Sequence, residues 1–344
     1  MNQIQTFWHS FWQRSYIAYP VALIFLALVP VISGLTGQSQ YVMDIVVTCV
    51  IYMVLTLGLN IVVGMAGLLD LGYIAFYAVG AYSAALLTTH FNWPIWAVFP
   101  VGAALAALCG VLLGLPTLRL RGDYLAIVTL GFGEIIRIAL NNLDSITNGP
   151  KGISGIAKPA LMGMTLRHVN YLYFIILAIL VLTWFVLRNL ENSPIGRAWI
   201  AIREDELAAG AMGINTTQMK LLAFATGAGF AGLAGVFFGS KMGFVSPESF
   251  TFVESVLIVS MVVLGGLGSM PGVVLGAVLM TVLPEVFRNF SQYRFLMFGC
   301  VMIVIMLVRP QGLLPDPRHA LEMGRGKKAK DKTPSESELP VEAV

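Results

Sequence analysis

Apolar residues fall into long stretches along the chain, separated by short polar or glycine-rich connections. Most of these stretches approach the roughly 20 residues that a helix needs to cross the hydrocarbon core of a bilayer. The pattern predicts an all-α polytopic membrane protein with about ten transmembrane helices, and about eight at the fewest. The predicted segments are 19–35, 41–63, 71–89, 94–115, 123–142, 169–188, 221–240, 251–268, 271–287 and 294–308.

Glycine interrupts this pattern in two ways. The connection 265–271 is too short for an ordinary loop, so we expect two half-depth segments or a re-entrant turn there, surrounded by protein or water. Glycines also recur at roughly helical spacing over 227–235. Small residues at that spacing predict close helix packing; the alternative is a flexible or broken helix beside a substrate path.

The composition agrees with a membrane protein. Of the 344 residues, 57% are hydrophobic and 11% are charged, whereas a soluble domain carries about 25% charged residues. This composition excludes a soluble enzyme and a disordered protein. We expect an interfacial segment over 1–18 without a cleavable signal, a transmembrane domain over 19–315, and a disordered tail over 316–344.

Lysine and arginine set the expected orientation, because they concentrate in cytoplasmic loops. Placing the N-terminus inside brings Arg197, Arg203 and Lys220 to the cytoplasm, and the tail from Arg318 onward supplies most of the bias. We therefore expect both termini, and the loop 189–220, on the cytoplasmic side.

The loop 189–220 is the most informative connection. Ser193 followed by Pro194 is a typical helix start, and Gly213 is a typical stop. Apolar residues between them recur at helical spacing, which predicts one short amphipathic helix at the membrane surface. Such a helix is either an interfacial element between two spans or a docking site for a cytoplasmic partner.

Charged residues within apolar segments are costly, so each is a candidate functional group. Glu134 and Arg137 are three residues apart on one predicted helix, where their side chains can meet. They form either an ion pair that packs the bundle or a lining of the transport path. Asp44, Glu254 and Glu285 lie near segment ends, where they can reach water or loop residues.

The sequence contains little that could support bond chemistry. It has no phosphate-binding G-x-x-x-x-G-K-[ST] loop, and its three Cys and four His are not clustered as metal ligands are. We therefore expect no catalytic residues, no metal and no cofactor in this chain. If ATP drives the protein, another subunit must bind it.

Six blocks, in order along the chain, resemble the M-type permease subunit of branched-chain amino acid ABC importers. The resemblance covers about residue 41 to Leu314 and implies an ABC importer permease fold for the domain 19–315. The blocks are GMAGLLDLGYIAFYAVGAY (64–82), GDYLAIVTLGFGEIIRIALNN (122–142), TNGPKGISGI (147–156), SPIGRAWIAIREDELAAGAMGIN (193–215), FVSPESFTFVES (244–255) and VLGGLGSMPGVVLGA (263–277).

The resemblance also implies roles for particular residues. The loop 189–220 contains the A-A-x-x-x-G core by which importer permeases engage their ATPases, although Leu207 stands where an acidic residue is usual. The implied ATPase-docking residues are Arg203, Glu204, Glu206, Ala208, Ala209 and Gly213. The implied contacts with a periplasmic binding protein, or with the pore mouth, are Asn148, Gly149, Pro150, Ser246 and Pro247.

The remaining implications concern partners and mechanism. Such a subunit pairs with a homologous H-type permease and with two cytoplasmic ATPases, which use ATP and Mg. A periplasmic binding protein delivers leucine, isoleucine or valine, and the complex sits in the bacterial inner membrane. Transport proceeds by alternating access, a population shift between inward and outward openings. No nucleic acid is involved.

Three alternatives stay open from the sequence. A related permease could carry urea, an amide or another small solute. An ion-coupled secondary transporter could work alone, with Asp44, Glu134 or Glu254 handling protons or sodium. A channel or passive structural subunit is the third alternative.

Overall fold

The structure is a computed structural model that describes residues 39–117, 120, 122–161, 164–165 and 169–286. It also describes a few separate positions, namely Pro30, Gly299, 302–303, 307, 309 and 312–314. The predicted segments 19–35 and 294–308 therefore fall almost wholly outside the described residues, as do most of 1–18 and the tail 316–344.

Helices make up most of the described residues. A π-helical turn, Asn60–Met65, continues the first helix directly. The helices are α1 Ser39–Leu59, α2 Ile74–Thr89, α3 Ile95–Thr117, α4 Asp123–Asn142, α5 Val169–Glu191, α6 Pro194–Glu204, α7 Glu206–Ala211, α8 Thr216–Met242, α9 Phe252–Gly265 and α10 Met270–Val286.

Each predicted apolar segment that lies within the described residues contains a helix. By length and composition, five helical stretches can cross a membrane: Gln40–Met65, Ile95–Thr117, Val169–Glu191, Thr216–Met242 and Pro247–Gly265. Helices α2 and α10 are apolar but shorter, and α4 carries charged residues within its length. The described part of the chain is thus a helical, multi-pass membrane protein.

Helix α8 lies at the centre of the bundle and packs against α1, α2 and α3. Its glycines allow unusually close approach to these neighbours: a Cβ atom on Gly232 would lie 2.5 Å from Cβ of Ala106, and one on Gly235 would lie 2.1 Å from the backbone oxygen of Tyr77. Gly229 differs, since its Cβ would make only ordinary contacts of 3.7 Å. The glycine spacing thus produces close helix packing, as the sequence predicts.

The bundle has two ends, which we name the basal and the apical end. The basal end carries α6 and α7 together with the C-terminus of α1, the N-terminus of α4 and the turn between α9 and α10. The apical end carries residues 143–161 and 164–165, together with residues 243–251. At the apical end, strand β1 (Ile153–Ser154) pairs antiparallel with β4 (Phe244–Val245), and β2 (Ala160–Leu161) pairs with β3 (Met164–Thr165).

The helix contacts of α8 lead to a stability prediction. Replacing Gly235 with Ala places a methyl group against the backbone of α2, so the two helices must separate; we expect a loss of about 1–3 kcal/mol. Gly229→Ala on the same helix is the matched control and should leave stability unchanged. The unfolding temperature of each purified variant in detergent is measured by heating samples and monitoring the remaining folded protein by size-exclusion chromatography. Equal unfolding temperatures for the two would contradict the packing described here.

Candidate functional site: a helical pair at the basal end and the hinge beneath it

Residues 193–215 form two short helices, α6 and α7, where the sequence pattern predicts one. The start of α6 is as predicted, since the Ser193 side chain accepts a hydrogen bond from Gly196 N at 3.3 Å and Pro194 follows. The helix then ends at Asp205, whose backbone is extended at φ −154° and ψ 110°. The Asp205 carboxylate caps α7 by accepting from Leu207 N at 2.8 Å and Ala208 N at 3.0 Å. An aspartate before a run of helix-forming residues is a recognisable cap, so the sequence did contain the signal for this break.

The inner face of this helical pair is fixed to the start of α8. The Trp199 side chain is fully buried and donates a hydrogen bond from Nε1 to the Met219 oxygen at 2.7 Å. Lys220 Nζ lies 2.6 Å from Glu206 Oε1, and the lysine side chain is only 4% exposed. Ala209 is buried as well. The pair is therefore a packed part of the bundle.

The outer face of the helical pair carries large, exposed apolar side chains. Leu207 is 71% exposed and Met212 is 85% exposed, and Ala208 beside them is also exposed. Exposed apolar side chains on a surface element are candidates for contact with a partner. We call the exposed residues Leu207, Ala208, Ala211 and Met212 the docking surface.

The residues proposed for docking divide between the two faces. Glu204 and Ala208 are exposed, and Gly213 is exposed with a left-handed φ of +88° and open space around its Cβ position. The other three, Arg203, Glu206 and Ala209, make contacts within the chain. The inward three position the surface, while Leu207 and Met212, which are not among the predicted residues, provide most of its exposed apolar area.

Beneath the helical pair lies a non-helical segment, residues 66–73, which we call the hinge because it separates α1 from α2. Its backbone is bonded to the neighbouring helices: Leu71 N donates to Thr129 Oγ1 at 3.0 Å, and the Leu71 oxygen accepts from Ser255 Oγ at 2.6 Å. These bonds give hydrogen-bond partners to backbone polar groups that would otherwise have none, because this segment is not helical and lies among apolar helices.

The hinge also contains a buried acidic residue that the sequence pattern does not single out. Asp70 is fully buried, and its Oδ1 accepts from Gly72 N at 2.9 Å. The surrounding leucines continue the apolar pattern and conceal the irregular backbone. The sequence signal for this irregular segment is the pair of glycines, Gly67 and Gly72, on either side of an acidic residue.

Two glycine-rich breaks, residues 64–72 and the connection 265–271, meet in space. Asn60 Oδ1, in the π-helical turn, accepts a hydrogen bond from Gly268 N at 3.0 Å, and Gly268 belongs to the turn 266–269 between α9 and α10. This turn reaches the basal end beside Gly64, and it joins α9 and α10 as a tight helical hairpin. Both breaks therefore belong to one buried junction.

The predicted charges find partners towards the apical end. Arg137 Nε lies 3.1 Å from both carboxylate oxygens of Glu134, and Arg137 also lies 3.7 Å from Glu248. Lys241 pairs with Asp44 at 2.9 Å. The side chains of Arg137 and Glu134 are 27% and 38% exposed, so their ion pair lies on the surface of the described bundle.

The structure also brings the two predicted apical segments together. The turn Gly149–Lys151 contacts the turn Pro247–Ser249, next to the pairing of β1 with β4. Asn148, in the left-handed region at φ +61°, is exposed and donates from Nδ2 to the Gly152 oxygen at 2.8 Å. Gly149 and Pro247 are buried, Pro150 is exposed, and Ser246 is partly exposed.

Within the residues that the structure describes, no group of three or more His, Cys, Asp or Glu side chains is arranged to hold a metal ion. The candidate site comprises the docking surface, the hinge and the apical segments, which packing, hydrogen bonds and ion pairs hold in place.

Comparison with known proteins identifies the family. Residues 41–308 match the model of the branched-chain amino acid transport system / permease component. The chain is 48% identical to the high-affinity branched-chain amino acid transport system permease protein LivM of Escherichia coli, over 84% of this chain and 73% of that protein. It is also 26% identical to the permease protein LivH of the same organism, over 77% of this chain and 92% of that protein.

A more distant relative is the probable branched-chain amino acid transport permease protein LivM of Methanocaldococcus jannaschii, which is 29% identical over 62% of this chain and 67% of that protein. No solved structure gives a significant match. The match to the family model extends from the start of α1 to beyond α10 and includes the hinge, the helical pair and the apical segments. The chain belongs to the family of permease components of branched-chain amino acid transport systems.

Proposed function

We propose that this chain is one of two permease subunits in an ATP-driven importer that carries leucine, isoleucine and valine into the cytoplasm. The observation that carries the proposal is the family match across residues 41–308, together with 48% identity to a permease of that system. The similarity to LivH as well as LivM supports pairing with a second, homologous permease.

The docking surface is the proposed attachment point for an ATPase subunit. Leu207 and Met212 expose apolar side chains on helices that are capped and fixed from behind. A partner helix could pack closely here, because Ala208 and Ala211 are small. The proposed docking loop also includes residues that mostly hold it in place through contacts within the chain, namely Arg203, Glu204, Glu206, Ala209 and Gly213.

We propose ten spans, with both termini in the cytoplasm of a bacterial cell and the protein in the inner membrane. The described helices alternate in direction between the two ends, and the basal end collects Arg188, Arg197, Arg203 and Lys220. Lysine and arginine favour the cytoplasmic side. The basal end would then face the ATPases, and the apical end would face the periplasm.

At the apical end we propose contact with a periplasmic binding protein through Asn148, Gly149, Pro150, Ser246 and Pro247. The ion pair of Arg137 with Glu134 lies beside them, and Glu248 links it to the same apical segment. Two roles for this ion pair stay open. Its position at the surface of the described bundle is consistent with lining the transport path, and its short local geometry is consistent with packing the helix.

The proposed mechanism involves no bond chemistry in this chain. ATP and Mg act on the partner subunits, closure of the ATPases moves the docking loops, and the two permeases alternate between inward and outward openings. The chain itself would bind no cofactor. The domain 19–315 carries the path, the loop 189–220 couples it to the ATPases, and 1–18 and 316–344 flank it.

Reconstitution tests this function directly. We expect proteoliposomes that contain both permeases, both ATPases and the loaded binding protein to take up leucine only when ATP is present. Uptake driven by an ion gradient in vesicles with this chain alone would support a secondary transporter. ATP-dependent uptake that accepts urea or an amide and ignores leucine would overturn the substrate.

The docking surface generates its own prediction. Leu207→Asp or Met212→Asp places a charge in the proposed apolar contact, and we expect the recovery of ATPase with the purified permeases to fall by about tenfold or more. Thr217→Asp, an exposed position on the first turn of α8, is the control and should recover a normal amount. Normal stoichiometry in all three variants would place the ATPase contact elsewhere.

A further inference from the structure

The side chain of Arg203 turns away from the docking surface and into the protein. It lies at the end of α6, and its Nη1 donates a hydrogen bond to the backbone oxygen of Gly64 at 2.5 Å. Gly64 belongs to the π-helical turn that ends α1. The guanidinium therefore joins the helical pair directly to the place where α1 loses its regular form.

A second contact holds the same side chain against the hinge. A Cβ atom on Gly67 would lie 2.8 Å from Cγ of Arg203, and Gly67 has a left-handed φ of +70°. Only glycine fits this position without strain, because both the space and the backbone conformation exclude a side chain. The aliphatic part of Arg203 thus packs on the hinge while its charged end bonds to the turn before it.

The hinge in turn contacts the long helices around it. Leu71 is bonded on one side to Thr129 of α4 and on the other to Ser255 of α9. The Tyr73 hydroxyl donates to the Gly227 oxygen of α8 at 2.8 Å. A displacement of the hinge therefore reaches three helices through hydrogen bonds.

We propose that Arg203 is the positioning residue that transmits movement of the docking surface to the hinge, and through the hinge to α4, α8 and α9. This inference rests on the proposed ATP-driven function. It would act through its contacts with Gly64 and Gly67.

Arginine suits such a link for two physical reasons. Its planar guanidinium loses little freedom when it forms a hydrogen bond, and it stays charged at any physiological pH. A hydrogen bond from a charged donor is also stronger than one between neutral groups. Helix α6 offers a matched control, since the exposed Arg197 donates to the nearby Asn192 oxygen at 3.0 Å, within its own end of the helix.

The test compares variants of the complete reconstituted importer in proteoliposomes. Uptake of leucine and hydrolysis of ATP are measured together for the wild type, Arg203→Ala, Arg203→Lys, Gly67→Ala and the control Arg197→Ala. The recovery of ATPase subunits is measured for each variant, because a residue with only a structural role would alter recovery and leave the ratio of ATP to leucine unchanged.

We expect Arg203→Ala to keep its ATPases and its ATP hydrolysis while leucine uptake falls by about tenfold. Gly67→Ala alters the other side of the contact without touching the docking surface. Like Arg203→Ala, it should raise the ratio of ATP hydrolysed to leucine transported. Arg203→Lys should restore part of the uptake, and Arg197→Ala should behave as the wild type. A wild-type ratio in both Arg203→Ala and Gly67→Ala would overturn the inference. Loss of ATPase from Arg203→Ala with normal transport by Gly67→Ala would also overturn it, since Arg203 would then be a docking contact.

A second readout does not depend on the cargo. In a background with Cys49→Ser, Cys109→Ser and Cys300→Ser, the substitution Leu69→Cys reports on the hinge through the rate at which its thiol reacts with a maleimide. We expect ATP to change that rate in the wild-type background and not in the Arg203→Ala background. An ATP-dependent change of equal size in both backgrounds would refute transmission through Arg203. If leucine is not transported but this response is present, the substrate is wrong and the inference about Arg203 stands.

Discussion

The need to satisfy backbone polar groups away from water governs this structure. A regular helix meets it internally, and residues 66–73 are not helical, so the bundle has to supply donors and acceptors from side chains. Thr129, Ser255 and Asp70 supply them. These partners come from α4, α9 and the hinge itself, and the irregular segment therefore fixes how those elements lie relative to one another.

Close helix packing makes this arrangement possible. The glycines of α8 bring α2 and α3 near enough for backbone to touch backbone, and Tyr73 reaches Gly227 only because the helices approach so closely. In a bilayer, where apolar side chains gain little by leaving lipid, such packing and the hydrogen bonds between helices supply much of the stability. The same small residues that hold the bundle together thus leave room for the hinge.

Much of the fold follows from local sequence. Apolar length locates the long helices, the cap at Ser193 locates the start of α6, and spacing alone pairs Glu134 with Arg137. Each of these features depends on residues within one or two helical turns. The family resemblance, carried by six ordered blocks, then gave the function.

The rest of the site depends on residues that are distant in the sequence. Nothing local shows that Lys220 is buried against Glu206 or that Arg203 reaches Gly64. The hinge is concealed for a different reason, since Leu68, Leu69 and Leu71 continue an apolar pattern that a straight helix would also show. The exposure of Met212 also cannot be predicted from the apolar periodicity, because an apolar residue at that position is compatible with either the inner or the outer face.

The bond from Arg203 ends on a backbone oxygen, and this choice of acceptor has a consequence for variation in the hinge. No substitution at Gly64 can delete that oxygen, so amino-acid changes there cannot remove the acceptor chemically. Every replacement there adds bulk, since a Cβ atom on Gly64 would lie 2.0 Å from Asn60 Oδ1 and 2.6 Å from Gly268 N. The acceptor is therefore independent of the residue type at position 64, and any change at Gly64 first meets a limit of volume.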